Sequence, residues 1–202
     1  MTRIISLEGG PAVGKTTLAR NLKKRLPKIH FNFEDSTLAV SKARQQNLDK
    51  TIEQDFIENQ KIFIKETIEK CQQLPDTYVV MDLSPEETEF HTICWPKAIG
   101  KSWNMEKNLA KELTQLKKFR SLTILYLDCP ENVLRSRKKD DNTRQRSSFE
   151  QYLSSLHQFR KKWFNQLDYV TMKNVTNMSE EELAAWTVNW LENLYFMEKG
   201  II

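Results

Sequence analysis

Apolar residues fall along this chain in two rhythms, short runs that suit strands and longer stripes at spacings of three and four that suit helices. Arg3-Ile4-Ile5-Ser6-Leu7 reads as a short buried strand, and residues 16–25 as the helix after it. Ile29-His30-Phe31-Asn32-Phe33 alternates like a second strand and ends at the acidic pair Glu34-Asp35. Residues 49–73 predict an amphipathic helix with Ile52, Phe56, Phe63, Ile64 and Ile68 on one stripe and Gln60 inside it. Thr77-Tyr78-Val79-Val80-Met81 is nearly continuous in apolar character, as a central parallel strand would be, and ends at Asp82. Residues 84–104 keep no sustained period, and their His91, Cys94, Trp95 and Trp103 suit either pocket walls or plain packing.

Residues 105–119 read as one helix, residues 122–127 as a fourth strand before Asp128, and residues 130–139 as a further helix. Ser147 or Ser148 caps the next helix, whose stripe holds Tyr152, Leu156, Phe159 and Trp163 and which reads as scaffolding. Residues 169–172 form a fifth strand, and Ser179 with Glu182 caps a last helix bearing Leu183, Trp186, Trp190 and Leu194 on one face. Strands alternating with helices predict an α/β chain with a parallel sheet and right-handed crossovers.

Composition narrows this picture without redirecting it. The 202 residues suit a single domain, 1–202, with a small lid. Lys and Arg number 31 against 27 Asp and Glu, a balance of +4 that is too mild to imply a nucleic-acid partner. Cys71, Cys94 and Cys129 are odd in number and lack metal-ligand spacing, so they are expected to be reduced core thiols. With no charged leader and no apolar run near the ~20 residues of a membrane span, the expected location is the cytoplasm, with no membrane partner. The oligomeric state is open, a homodimer included.

Candidate chemistry changes the picture most. Gly9-Gly10-Pro11-Ala12-Val13-Gly14-Lys15-Thr16 meets every fixed position of the phosphate-binding loop, between a strand and a helix as that mechanism requires. In such a turn backbone N–H groups and a helix N-terminus face the phosphates, Lys15 reaches the β- and γ-phosphates, and the Thr16 hydroxyl ligates Mg²⁺. Asp82, at a strand's carboxyl end, is placed to hold Mg²⁺ or its water, or else to cap the segment that follows. Glu34 ends a strand too and either meets a substrate or is solvated beside a cap at Asp35 or Ser36. The Gln60 amide bonds either a bound base edge or protein groups. Residues 135–146 carry Arg135, Arg137, Arg144 and Arg146, an Arg-rich segment suited to closing over a triphosphate, the alternative being a solvated face.

The stretch Ser6-Leu-Glu-Gly-Gly-Pro-Ala-Val-Gly-Lys-Thr-Thr17 resembles the first strand and loop of the deoxynucleoside kinase and thymidylate kinase group. Glu34, Gln60, Asp82-Leu83-Ser84, Cys129-Pro130-Glu131, Phe149-Glu-Gln-Tyr-Leu153 and Leu156-His157 follow in that group's order, so the resemblance spans residues 3–165. It implies a P-loop three-layer sandwich with a five-stranded parallel sheet ordered 2-3-1-4-5, helices on both faces and an Arg-rich lid at about residues 137–148. It further implies ATP held by Gly9, Gly10, Pro11, Ala12, Val13, Gly14, Lys15, Thr16 and Thr17, with a nucleoside-like acceptor between the second and third helices. Glu34 would be the general base, Gln60 would read a base, and lid arginines, among Arg137, Arg144 and Arg146, would stabilise the transferring phosphoryl. The expected activity is a Mg²⁺-dependent kinase acting on a deoxynucleoside or nucleoside monophosphate. The group's arginine in the acidic-Arg-Ser motif is Leu83 here. That departure keeps two alternatives open, a kinase of another small alcohol, such as an antibiotic or metabolite, and a nucleotide sensor with negligible turnover.

Overall fold

The computed structural model describes residues 2–33, 35–140 and 149–193. At its centre is β1 (Arg3–Gly9), flanked on one side by β3 (Tyr78–Met81) and β2 (His30–Asn32), and on the other by β4 (Thr123–Asp128) and β5 (Val170–Asn174). Each neighbouring pair runs parallel, in the order β2-β3-β1-β4-β5. A parallel neighbour needs a crossover, and the crossovers lay helices on both faces, so every residue of β3 is buried.

One face is covered by α1 (Lys15–Arg25) and α10 (Glu180–Leu191), whose Leu18, Leu22, Leu183 and Leu191 pack with Ile5, Leu7 and Leu125 of the sheet. α7 (Glu131–Asp140) and α8 (Phe149–Ser155) add Leu134, Phe149 and Leu153 to that layer. On the opposite face α4 (Pro85–Ala98) and α9 (His157–Phe164) contribute Phe90, Ile93 and Phe164 against Ile124 and Tyr126. α2 (Thr37–Gln45) lies against α3 (Glu53–Gln72), and α3 in turn packs Phe56 and Ile64 on Met105 of α5 (Met105–Asn108) and on Leu113 of α6 (Ala110–Leu116).

Three elements depart from the sequence expectation. The segment with no sustained period contains α4, where ten of the fourteen residues are buried. A helix enclosed on all sides has no solvent face to generate a period. Its start was nonetheless written in Ser84-Pro85-Glu86-Glu87: the Ser84 hydroxyl accepts the Glu87 N–H at 3.1 Å, proline takes the first turn, and two carboxylates face the helix dipole. The single helix expected over residues 105–119 is instead α5, α6 and a 3-10 turn at Lys117–Phe119. The helix expected from residue 148 is broken at Leu156 into α8 and α9, which leaves Phe159 39% exposed and buries Phe164 in its place. The Ser147 and Ser148 caps lie outside the described residues, whereas the Ser179–Glu182 capping box is formed in both directions.

Cys71, Cys94 and Cys129 are free and buried, and burial pushes all three thiols up, that of Cys71 to about 12. A thiol must ionise to react. In the native protein at mildly alkaline pH none of the three should react with Ellman's reagent over minutes, and all three should react once denaturant is added; colour development without denaturant would contradict the packing described.

Candidate functional site

The turn between β1 and α1 is shaped by its glycines. Gly9 has φ +134°, and a Cβ there would stand 2.4 Å from the Leu127 carbonyl oxygen of β4, so no side chain fits. Gly14, immediately before α1, has φ +110°, a left-handed conformation that costs residues with a Cβ strain. Ala12 bears such a conformation, φ 63°, at the turn's tip. Lys15 folds over the turn, donating to the carbonyls of Gly9 at 2.8 Å and Gly10 at 3.2 Å. The Thr16 hydroxyl donates to Asp82 Oδ2 at 2.6 Å, so the first turn of α1 and the carboxyl end of β3 meet beside the loop.

A cavity of about 1380 Å³ opens from this loop in two directions. Toward β5 and α10 it is lined by Arg20, Arg137, Val175, Met178, Ser179 and Leu183. Arg137 donates to the Val13 carbonyl at 3.0 Å and to the Val175 carbonyl at 2.7 Å, tying the loop to the segment after β5. Toward α3 and α4 the lining is Lys50, Phe56, Gln60, Leu83, His91 and Trp95, over a floor of Glu8, Glu87 and Arg160.

That floor concentrates buried charge. Arg160, 3% exposed, forms a fork on the Glu87 carboxylate and reaches Glu8 Oε2 at 3.5 Å. Its guanidinium lies 4.8 Å from the Phe90 ring centre and 5.2 Å from that of Tyr152. His91 Nε2 sits 3.2 Å from Glu87, and the Ser84 hydroxyl donates to Glu8. Burial pushes the Glu8 carboxyl well above the ordinary range, aided by the charge of Glu87 and opposed by Arg160. Burial acts on Glu87 in the same sense, but the Arg160 guanidinium and His91 together hold it well below that range. Of the two acids, Glu8 is the one whose protonated form this environment favours.

A family profile described as "AAA domain" matches residues 5–155, about three quarters of the chain, including the loop and the strand end at Asp82. The chain belongs to this AAA domain family. No curated protein matches it in sequence. Among solved structures, the AAA domain is similar to thymidylate kinase from Candida albicans, at 15% identity and TM-score 0.62, over 95% of this chain and 92% of that one. It is similar also to deoxyadenosine kinase from M. mycoides, a structure with the products dCMP and a flexible dCDP bound, at 14% identity and TM-score 0.64, over 95% of this chain and 100% of the other. These likenesses give the fold, a P-loop nucleotide-kinase-like α/β sandwich with the expected strand order.

Of the residues singled out from the sequence, Gly9 to Thr17, Gln60, Asp82 and Arg137 all line this cavity of the AAA domain. Glu34, Arg144 and Arg146 lie outside the described residues. Gln60 is buried, its carbonyl accepting from Thr92 at 2.9 Å and its amide donating to Asn59 at 3.2 Å, which leaves one donor hydrogen and one lone pair uncommitted. The irregular segment divides its aromatics: Trp95 lines the cavity beside His91, while Trp103 packs on Phe56 with ring centres 5.8 Å apart. Sequence reasoning did not find Glu8, Glu87 and Arg160. The available signal was an arginine in a helix otherwise read as scaffolding, and that helix does more than scaffold, since α9 carries Arg160 into the cavity floor.

Proposed function

We propose that this protein is a phosphotransferase that moves the γ-phosphoryl of Mg²⁺-ATP to a hydroxyl or phosphate of a small acceptor, with nucleoside-like compounds the first class to try. The observation that carries this reading is the single cavity running through the phosphate-binding loop, with Lys15 at the junction of its two arms. The arm beside Arg137, Val175, Met178 and Leu183 suits the nucleoside part of the donor, because apolar side chains and a guanidinium plane can flank a base. The arm between α3 and α4 suits the acceptor. Across the loop the two substrates would face each other in line, and positioning with charge stabilisation is most of the catalysis in phosphoryl transfer.

Each residue then has a role. Backbone N–H groups of Gly9 to Thr17 and the Lys15 ammonium hold the β- and γ-phosphates. Thr16 and Asp82 bring a hydroxyl and a carboxylate together beside the loop, a hard-oxygen pair that fits Mg²⁺, which keeps most of its shell as water and phosphate oxygens. When bound, that ion neutralises charge on the phosphates. Glu34 takes the proton of the acceptor hydroxyl, Gln60 offers its remaining hydrogen-bond capacity to the acceptor, and Arg137, Arg144 and Arg146 supply positive charge around the triphosphate.

The test is ADP formation from ATP and Mg²⁺ over a panel of deoxynucleosides, nucleosides, nucleoside monophosphates and unrelated alcohols. Acceptor-dependent ADP in any class, lost on Glu34→Gln while ATP still binds, is the expected result. ATP binding with no acceptor-stimulated turnover in any class would overturn the reading in favour of a nucleotide sensor.

A further inference from the structure

We infer that the arm between α3 and α4 takes an alcohol that carries no phosphate and discriminates against phosphomonoesters; this rests on the phosphotransferase reading and narrows its acceptor.

Among the described residues, three carboxyl side chains line the loop and this arm, those of Glu8, Asp82 and Glu87. Apart from the loop's own Lys15, the cations among the described residues of this arm are Arg160 and Lys50. Arg160 is not free to grip an anion. Both terminal nitrogens are engaged by Glu87, and the rings of Phe90, Tyr152 and Phe164 stand 4.8, 5.2 and 6.0 Å from its guanidinium. A phosphomonoester near neutral pH brings close to two negative charges and wants a guanidinium fork or several ammonium groups to replace its water. Here, among the described residues, it would meet a guanidinium already committed to Glu87 and one lysine.

The uncommitted polar groups suit a neutral compound. Gln60 retains one donor hydrogen and one acceptor lone pair, fixed in direction by its bonds to Thr92 and Asn59. The Trp95 indole N–H is buried with no partner among the described residues, a donor available to a ligand carbonyl or hydroxyl. Trp95 adds aromatic surface for a flat ring. At position 83, next to the Asp82 carboxylate, the lining side chain is the aliphatic Leu83, which adds no charge. Neutral hydrogen-bonding groups, an aromatic wall and the lack, among the described residues, of an uncommitted guanidinium together favour a hydroxyl compound over its phosphate ester.

The experiment compares deoxynucleosides with their 5′-monophosphates. Binding is measured by calorimetry with the donor arm filled by a non-hydrolysable ATP analogue, and turnover is measured separately as ADP formed. A preference of about 100-fold or more for the unphosphorylated compounds is expected in binding, and in kcat/KM wherever turnover occurs. Glu87→Gln, or Leu83→Arg if the former does not fold, should narrow that ratio several-fold, the first by releasing the Arg160 fork and the second by adding a guanidinium to the arm. Tighter binding of the monophosphates, binding of neither class, or a ratio unmoved in a folded variant would overturn the inference. Turnover of monophosphates alone would overturn it and leave the phosphotransferase standing; binding with the expected preference but no ADP from any acceptor would overturn the phosphotransferase alone.

Discussion

Lys15→Ala should lower acceptor-dependent ADP formation about 10³-fold or more, since electrostatic stabilisation of the transferring phosphoryl is the largest contribution to this chemistry. The side chain is half-buried and, among the described residues, bonded to the Gly9 and Gly10 carbonyls alone, at 2.8 and 3.2 Å. Among the described residues no buried carboxylate depends on it for a hydrogen bond, so truncation should leave folding nearly intact. A melting temperature within a few degrees of the parent alongside the collapse in kcat is the expected pair of results. Turnover kept within tenfold would mean that the loop does not hold the reacting phosphates.

Arg160→Ala should act on stability instead. It removes the one guanidinium shared by Glu8 and Glu87, which are 1% and 7% exposed. Breaking a buried ion pair on one side typically costs about 3–5 kcal/mol, because the surviving charge is left in a medium that cannot solvate it. For a chain of this size that corresponds to a fall in Tm on the order of 10 °C. Arg160→Met combined with Glu87→Gln and Glu8→Gln should recover most of the loss, because no bare charge then remains.

The sign of the pH dependence separates the two acids. The folded state holds a proton on Glu8 above its ordinary value of 4.5, so the stability Glu8 contributes is fully present below that value and is lost as pH climbs through its raised pKa. Glu87 is held below 4.5, so its contribution is present above that value and is lost as pH falls through the depressed one. Glu8→Gln should therefore flatten the alkaline side of a stability profile from chemical denaturation, and Glu87→Gln the acid side. Loss of stability from Arg160→Ala no greater than that of an exposed Lys→Ala substitution would contradict the buried triad.

Legibility followed from how local each feature is. The phosphate-binding loop could be read because its eight positions are contiguous and each is demanded by backbone geometry or phosphate chemistry. The strands could be read because both faces of the sheet are covered, which turns β3 into an unbroken apolar run. α4 escaped because a helix buried on every side shows no period, and its buried Glu86, Glu87 and Glu89 look like surface residues in sequence. The Glu8–Glu87–Arg160 floor escaped for a different reason. Its members stand on three elements, and Arg160 is 73 residues from Glu87 and 152 from Glu8, separations at which no spacing rule operates. Charged residues in a chain are usually solvated, so only the fold reveals that these are not.

The strand order also bears on when the binding loop comes into being. β1 is the first strand made, yet its partners are β3, beginning at Tyr78, and β4, ending at Asp128. Gly9, at the base of the loop, pairs with Leu127. A ribosome adding about 5–20 residues per second would need roughly 6–24 seconds after making Gly9 to supply that partner. Until β3 is made the most functional stretch of the chain is an apolar strand with two open edges, until β4 is made one edge stays open, and long-range parallel pairing is intrinsically slow. Any nucleotide that binds the loop recognises only the assembled sheet, and so would draw late folding intermediates toward the native state by mass action. The placement that centres the site in the fold also makes its first-made strand wait for a partner from the middle of the chain.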